Sequence, residues 1–170
     1  MRPVRRLSTT LLTLPLICTG CGGKPSRQLH EKAGGFSYDP PPGWTVAELP
    51  GLKYRIARGP VADAFAPNIN VVDETFQGTL DAYVEANVGN MEKLLPGLKI
   101  LDRAAFQTAD GEPGTRVIAD TQQLGRRLRQ TFYFFGRSQR RYVVTCTALA
   151  DGGEALDSVF EASVKTFRMH

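Results

Sequence analysis

The sequence predicts an α+β domain in which an antiparallel sheet is covered by helices. Several segments either alternate apolar and polar residues or are rich in β-branched residues, and links of turn length join them. Two other segments repeat apolar residues at three- and four-residue spacings, as amphipathic helices do. Strands that are joined by turns and interrupted by helices are typical of this fold class.

The chain begins with what we interpret as a lipoprotein signal peptide over residues 1–20. Residues 1–6 (MRPVRR) are basic, and residues 7–17 are mostly apolar but too few to span a bilayer. The run CTGC that ends at Cys21 resembles the lipobox of bacterial lipoproteins, although Cys18 stands where that family prefers leucine. The resemblance implies that the leader is cut before Cys21 and that this cysteine is lipidated. An ordinary secretory leader, cut near the same place, is the alternative.

The residues after the leader predict a lipid anchor and a flexible tether. The segment GGKPSR at 22–27 is polar and flexible, and the folded part is expected to begin near Phe36. The expected organisation is a signal peptide at 1–20, a tether at 21–35 and a domain at 36–170. Acyl chains on Cys21, palmitate among them, would make the attachment effectively permanent, because each buried methylene contributes about 0.8 kcal/mol. We therefore expect a location in the cell envelope, on the exported side of a membrane.

The first half of the domain predicts two strands and one long helix. The segment DPPPG at 39–43 cannot be helical, because prolines fix φ and remove backbone donors, and we interpret it as an extended entry to Trp44. The predicted elements are strands at 53–57 and 69–74 (INVVDE) and a helix over 80–95. Thr79 or Gly78 is expected to start the helix, and Pro96 to stop it.

The second half predicts four strands and a closing helix. The strands are 98–106, 115–121, 128–135 and 142–149, and the helix carries Leu156, Val159, Phe160, Val164 and Phe167 on one face. Residues 136–141 should join the last two strands as an antiparallel hairpin. These two strands are apolar on both faces, as central strands covered on both sides would be. Asp151, with Glu154 three residues later, is expected to cap the final helix.

Charge and reactive residues argue against nucleic-acid binding and against catalysis. Three of the 21 lysines and arginines lie in the leader, so 18 remain against 17 acidic residues and the domain is nearly neutral. The histidines are His30, in the expected tether, and His170, the last residue, which leaves no base beside a nucleophile. Cys146 is expected to be a buried structural thiol. We expect no nucleic-acid partner, no catalytic residue, no metal and no cofactor.

Two surface features are candidates for contact with a partner or a membrane. Arginines crowd both ends of the hairpin predicted over residues 128–149, and the candidates among them are Arg126, Arg127, Arg137 and Arg140. Such a patch would suit anionic headgroups or an acidic partner. A solvated edge, charged to discourage strand pairing, is the alternative. Phe65, in a loop, would be either an apolar anchor for a partner or an aromatic packed back onto the core.

Several short motifs of the domain are familiar as a set. They are FSYDP and PGW within 36–44, PNINVV at 67–72, TLDAY at 79–83, YVVTCTA at 142–148 and KTF at 165–167. Together they resemble the PsbP-like superfamily, especially its DcrB-like bacterial lipoproteins, over about residues 36–167. The resemblance implies an α/β/α sandwich on an antiparallel sheet, and a family of binding and assembly modules rather than enzymes. Its members serve unrelated partners, so the resemblance names no partner here.

We expect the domain to be a non-catalytic module that binds or helps to assemble another envelope protein. The alternative is a small-ligand or lipid carrier, which an apolar cavity between the sheet and the helices would favour. A third interpretation is a hydrolase or processing factor whose carboxylates only the fold brings together.

Replacing Cys21 with alanine should move the mature protein from the membrane fraction to the soluble fraction. The lipid would be lost, and residues 7–17 are too few to hold the protein by spanning a bilayer. Cell fractionation measures the distribution, and the mass of the protein shows whether the leader was cut. A cleaved variant that stays in membranes would contradict the lipoprotein interpretation.

Overall fold

The computed structural model describes residues 28–170 apart from position 96, so the leader and Cys21 lie outside the described residues. The strands are β1 (Leu29–Glu31), β2 (Phe36–Tyr38), β3 (Thr45–Ala47), β4 (Ile56–Arg58), β5 (Asn68–Thr75), β6 (Lys99–Gln107), β7 (Pro113–Gln123), β8 (Arg126–Arg137), β9 (Arg140–Leu149) and β10 (Arg168–Met169). The helices are α1 (Leu80–Leu94) and α2 (Asp157–Lys165), and a 3-10 turn, Gly153–Leu156, leads into α2.

A seven-stranded antiparallel sheet forms the centre of the domain, which confirms the predicted α+β class. Its strand order is β3-β4-β5-β9-β8-β7-β6, and a second sheet has the order β1-β2-β10. The predicted hairpin is β8–β9, closed by a two-residue turn between Arg137 and Arg140. Ser138 in that turn has a left-handed backbone with φ 53°, as tight hairpin turns require.

The two faces of the β8–β9 hairpin pack against different layers. Phe132 and Phe134 face α1, where they pack with Tyr83. Phe135 and Tyr142 belong to the core on the opposite face, which α2 and the small sheet cover. Successive residues of a strand point to opposite faces, so the nearly continuous apolar run produces two cores. The expectation of strands covered on both sides is confirmed.

The two helices begin in different ways, and only one follows the sequence prediction. Thr79 caps α1 as predicted, with its hydroxyl oxygen accepting from the Ala82 amide at 3.1 Å. The predicted cap at Asp151 is wrong, because Gly152 (φ 76°) turns the chain into a 3-10 segment that has no side-chain cap. Instead α2 is fastened at its first residue, where the guanidinium of Arg129 donates to both carboxylate oxygens of Asp157 at 3.1 and 2.7 Å.

The domain includes residues that the sequence analysis assigned to the tether. Leu29–Glu31 forms β1 and pairs with β2, and the side chain of Leu29 is buried in the core with 1% of its surface exposed. The Arg55 guanidinium donates to the Glu31 carboxylate at 2.6 Å, which ties β1 to the segment before β4. The folded part therefore includes Leu29–Glu31, ahead of Phe36.

An aromatic cluster closes the core where the two ends of the described chain meet. The Phe167 ring lies 5.1 Å from Phe36, 4.8 Å from Phe135 and 5.3 Å from Tyr142, measured between ring centroids. The Tyr142 hydroxyl also donates to the Gly34 carbonyl at 2.9 Å. Aromatic pairs at these distances stabilise a core beyond their buried area. The cluster holds the small sheet and the segment after α2 onto the main sheet.

A chain that begins at Phe36 should be less stable than one that begins at Gln28. Loss of β1 removes the burial of Leu29 and the Glu31–Arg55 ion pair, which should lower the free energy of unfolding by at least about 2 kcal/mol. Urea unfolding of both proteins, followed by tryptophan fluorescence, measures the difference. Equal midpoints would show that β1 adds nothing and that the boundary belongs at residue 36.

Candidate binding surface

Strand β8 separates the predicted arginine patch into two groups. Arg126 and Arg127 begin the strand and Arg137 ends it, so more than about 30 Å lies between them at 3.3 Å per residue. We call the end of the main sheet at Arg126 the loop end, formed by residues 59–67, 94–98 and 123–126. The opposite end, at Ser138, is the turn end. A single surface can therefore use one group of arginines and not both.

The arginines at the turn end are engaged with acidic partners. The Arg137 guanidinium donates to Glu112 at 2.5 Å and lies 3.7 Å from Asp110. Arg140 donates to Asp73 with two of its nitrogens, at 3.0 and 2.7 Å. These two predicted contact residues are thus compensated within the domain, which favours a structural role for them.

Asp73 is the centre of the turn-end network. Its carboxylate also accepts from the Lys53 ammonium at 2.6 Å and from the Tyr54 hydroxyl at 2.7 Å, and 8% of its side chain is exposed. Burial opposes ionisation of this carboxyl, but the hydrogen bonds from Lys53, Tyr54 and Arg140 outweigh it and lower the pKa to about 2. The network joins β5 to β9 and to the segment before β4.

The loop end brings Phe65 and Arg126 together, although the two are far apart in the chain. Residues 62–65 form a tight turn in which Ala62 and Phe65 exchange backbone hydrogen bonds at 2.9 Å. Asp63 and Ala64, at its tip, both have left-handed backbones, with φ of 50° and 55°. The Arg126 guanidinium donates to the Asp63 carbonyl at 2.9 Å. Such a conformation is costly for non-glycine residues and persists where the surroundings hold it.

Phe65 forms one wall of an apolar groove at the loop end. The groove is open, has a volume of about 260 Å³, and is lined mainly by Pro60, Phe65, Pro67, Leu149 and Leu156. Phe65 itself is half-buried and lines this groove. Its use as an apolar anchor for a partner stays a prediction.

A second apolar groove lies between the proline segment and α2. It has a volume of about 400 Å³ and is lined by Pro40–Pro42, Val159, Ala162 and Thr166, among others. Hydrogen bonds fix its walls, since the Asp39 amide donates to the Thr166 hydroxyl at 2.7 Å and the Ser163 hydroxyl donates to the Asp39 carbonyl at 2.6 Å. The sequence predicts these prolines only as an entry segment, because nothing local shows that a helix lies beside them.

The histidines, which the sequence analysis left outside any cleft, meet each other. The His170 ring stacks on His30 at 5.2 Å, and its Nε2 lies 2.9 Å from the Ser37 hydroxyl oxygen. Ser37 is buried within β2, between β1 and β10. The expectation that no base lies beside a nucleophile is therefore wrong for this pair. Because only 1% of Ser37 is exposed, we interpret the contact as one that joins the ends of the small sheet.

Cys146 and the acidic residues form no further site among residues 28–95 and 97–170. The Cys146 side chain is fully buried, and burial raises the pKa of its thiol well above the usual value. In this part of the chain no group of three or more histidine, cysteine, aspartate or glutamate residues is placed to hold a metal ion. No helix described there is both long and apolar enough to cross a membrane.

Solved structures with the same architecture reveal the fold family. The cyanobacterial PsbP protein CyanoP from Synechocystis sp. PCC 6803 superposes with a TM-score of 0.62 at 12% identity, covering 90% of this chain and 97% of that one. The domain has the PsbP-like fold. The expected PsbP-like sandwich is thereby confirmed, while the DcrB-like subgroup and the lipoprotein character stay predictions.

Two further structures share the PsbP-like fold. LpqN, described as involved in cell envelope biogenesis of Mycobacterium tuberculosis, gives a TM-score of 0.60 at 16% identity and covers 87% of each chain. A Pseudomonas aeruginosa protein of unknown function gives 0.58 at 20% identity, covering 72% of this chain and 94% of that one. No family model and no curated protein matches the chain. At these identities the likeness establishes the fold alone.

Asp73→Asn should destabilise the domain at neutral pH by about 2 kcal/mol, since a lowered carboxyl pKa is a gain in folded-state stability. The folded-state pKa is depressed, so this stabilisation is present above about pH 4 and is lost as the pH falls towards 2. Urea unfolding of both proteins from pH 7 downwards measures it. Asp151→Asn, at an almost fully exposed side chain, is the control. A constant difference between wild type and Asp73→Asn across this pH range would contradict the assignment.

Proposed function

We propose that the chain is a lipid-anchored envelope protein whose PsbP-like domain is a non-catalytic module for binding or assembling another envelope protein. The observation that carries the proposal is the apolar groove walled by Phe65, which lies beside the exposed side chains of Arg126 and Arg127. An apolar pocket with charged residues at its rim is the usual composition of a protein-binding site.

The envelope location is supported by the leader and by one structural neighbour. The basic segment at 1–6, the apolar segment at 7–17 and the CTGC run before residue 22 have the order of a lipoprotein leader. LpqN, which shares the fold, is described as involved in cell envelope biogenesis. That description concerns LpqN, and an envelope location for this chain is part of the proposal.

The groove is suited to receive apolar side chains from a partner. Its wall is preorganised, because the turn at 62–65 is closed by its own hydrogen bonds and held by Arg126. A preorganised site loses less conformational entropy on binding. Arg127 is partly compensated by Asp120 and Asp151, at 3.6 and 3.7 Å from its guanidinium. Arg126, whose guanidinium donates to the Asp63 carbonyl, adds the rim charge that would speed association with an acidic partner.

A binding role agrees with the positions of the reactive side chains. The Cys146 thiol is buried and protonated, and Ser37 lies within paired strands. A catalytic nucleophile needs both a base and access to substrate. Ser37 has His170 beside it but is only 1% exposed, and Cys146 is fully buried. We therefore assign these groups to packing.

The second candidate function is a carrier of a small apolar ligand or lipid. The groove between Pro40–Pro42 and α2 favours it, because its lining is mainly apolar and its volume of about 400 Å³ would hold part of an acyl chain. Mass spectrometry of the native protein purified from membranes would show a bound lipid as a discrete added mass. Its release by Ala162→Trp, which would fill the groove, would place the lipid there.

Phe65→Ala should reduce capture of the partner while leaving the fold intact. Removing an aromatic anchor from a binding pocket costs about 2 kcal/mol or more, which is a loss of affinity of at least about thirtyfold. Cross-linking in native membranes, followed by quantification of the recovered partner, compares wild type with the variant. Arg137→Ala at the turn end is the matched control and should recover the partner as wild type does. Undiminished recovery with Phe65→Ala would remove the groove from the proposal.

A further inference from the structure

We propose that the loop end of the domain rests on the lipid bilayer, with Leu124 inserted among the headgroups of anionic lipids. This contact is additional to the acyl anchor, and it rests on the proposed function in that the anchor brings the domain to a membrane. It deepens that function, because the groove at Phe65 would then open at the membrane surface. The partner would then be a protein segment that lies at the membrane surface.

The most exposed apolar side chains of the described residues gather at the loop end. Leu124 is fully exposed, Leu94 is 76% exposed and Val61 is 69% exposed, whereas every other large apolar side chain described is less than half exposed. Each belongs to a different connection: Leu124 to the β7–β8 turn, Leu94 to the end of α1, and Val61 to the loop before β5. Three separate segments thus place an apolar side chain in water at one end of the sheet.

Contacts between the three segments hold these side chains near one another. The loop after α1 runs beside β7, since a Cβ atom at Gly97 would lie 3.7 Å from the side chain of Gln122, two residues before Leu124. The loop that carries Val61 is tied to the base of the β7–β8 turn by the hydrogen bond from Arg126 to the Asp63 carbonyl. The three exposed side chains therefore lie on neighbouring segments at the same end of the sheet.

The hairpin turns at the two ends of β8 each begin with a residue in the left-handed region, but these two residues differ in side-chain character. Leu124 at the loop end has φ 51°, and Ser138 at the turn end has φ 53°. Polar residues such as serine and asparagine are common in tight turns, whereas a leucine in the left-handed region is strained and gains nothing from water. A leucine at such a position gains stability only when another apolar phase covers it.

Basic side chains beside the leucines favour an anionic lipid surface. Arg126 follows the turn directly, and Lys93 and Lys99 flank Leu94 and the loop after it, all three being exposed. Arg127, also exposed, is partly compensated by Asp120 and Asp151 at 3.6 and 3.7 Å. The contact that Arg126 makes with a backbone carbonyl leaves its charge uncompensated. Each basic residue near an anionic membrane surface adds to the attraction, which decays within a Debye length.

The length of the tether permits this orientation. Gln28 lies beside Val46, which the strand pairing places level with Thr131 of β8. Five residues separate Thr131 from Arg126, so Gln28 stands about 17 Å above the loop end. The seven residues from Cys21 to Gln28 can extend to about 25 Å. The tether is therefore long enough for either end of the sheet to face the membrane. The exposed apolar side chains favour the loop end.

The test compares two matched positions on the lipidated protein in vesicles that contain phosphatidylglycerol. Gln122 and Gln139 are exposed glutamines at the loop end and the turn end; each is changed to cysteine in turn and labelled with a fluorophore. Cys146 is buried and stays unlabelled. Spin-labelled lipid headgroups should quench the label at 122 at least about threefold more than the label at 139. Leu124→Ser in the protein labelled at 122 should reduce quenching to the level seen at 139, without a change in melting temperature.

Equal quenching at the two positions, or no effect of Leu124→Ser, would overturn the proposal and would also be the result if a protein alone covers the loop end. The mass of the purified protein tests the anchor separately. If Cys21 carries no lipid, the anchor fails, and titration of the same labelled proteins with vesicles still tests the contact. Neutral vesicles should give weaker quenching at 122 than anionic vesicles, and equal quenching by both would remove the basic residues from the contact.

Discussion

The apolar character of both faces of the β8–β9 hairpin is the constraint on which the rest of the fold depends. Phe134 points into one core and Phe135, the next residue, into the other. Neither face can meet water without losing the free energy of burial, so the chain must supply a cover for each. α1 covers one face, together with Phe76 and Leu98 from the segments beside it. The other is covered jointly by α2 and by short strands from both ends of the described chain, so this layer assembles from segments that are far apart in sequence.

Ion pairs fix the position of α2 on the main sheet. They also neutralise arginines that would otherwise add positive charge to the surface. Arg129 holds Asp157 at the start of α2, and Arg116 reaches Glu161 one turn later at 2.9 Å. A guanidinium that is partly desolvated needs an acidic partner, because leaving it unpaired is costly. Many of the arginines in the β7–β9 region therefore form ion pairs within the domain. Among the described residues, the exposed cations without a paired carboxylate are Lys93, Lys99 and Arg126 at the loop end and Lys32 and Arg168 at the small sheet.

The sequence could predict what is decided locally. α1 and its cap at Thr79 were predictable, because the apolar spacing and the capping hydroxyl lie within a few residues of each other. β1 was not, because a three-residue strand with one apolar side chain, Leu29, has no periodicity to detect. The arginine patch divided in two, and Arg140 proved to pair with Asp73, 67 positions away. The groove at Phe65 likewise needed contacts between distant segments, which strand order and register decide.

Burial of the Cys146 side chain has a consequence for the chemistry of the protein if it is exported, as we propose. Extracytoplasmic compartments are oxidising, and a free thiol on the surface of a protein there would form mixed disulfides or dimers. In the folded domain this thiol is sealed between β8 and β5 and kept protonated, so it is inert. Unfolding would expose it at once. The rate at which a thiol reagent modifies the native protein therefore reports how often the whole core opens. Cys146 is thus a built-in probe of global unfolding.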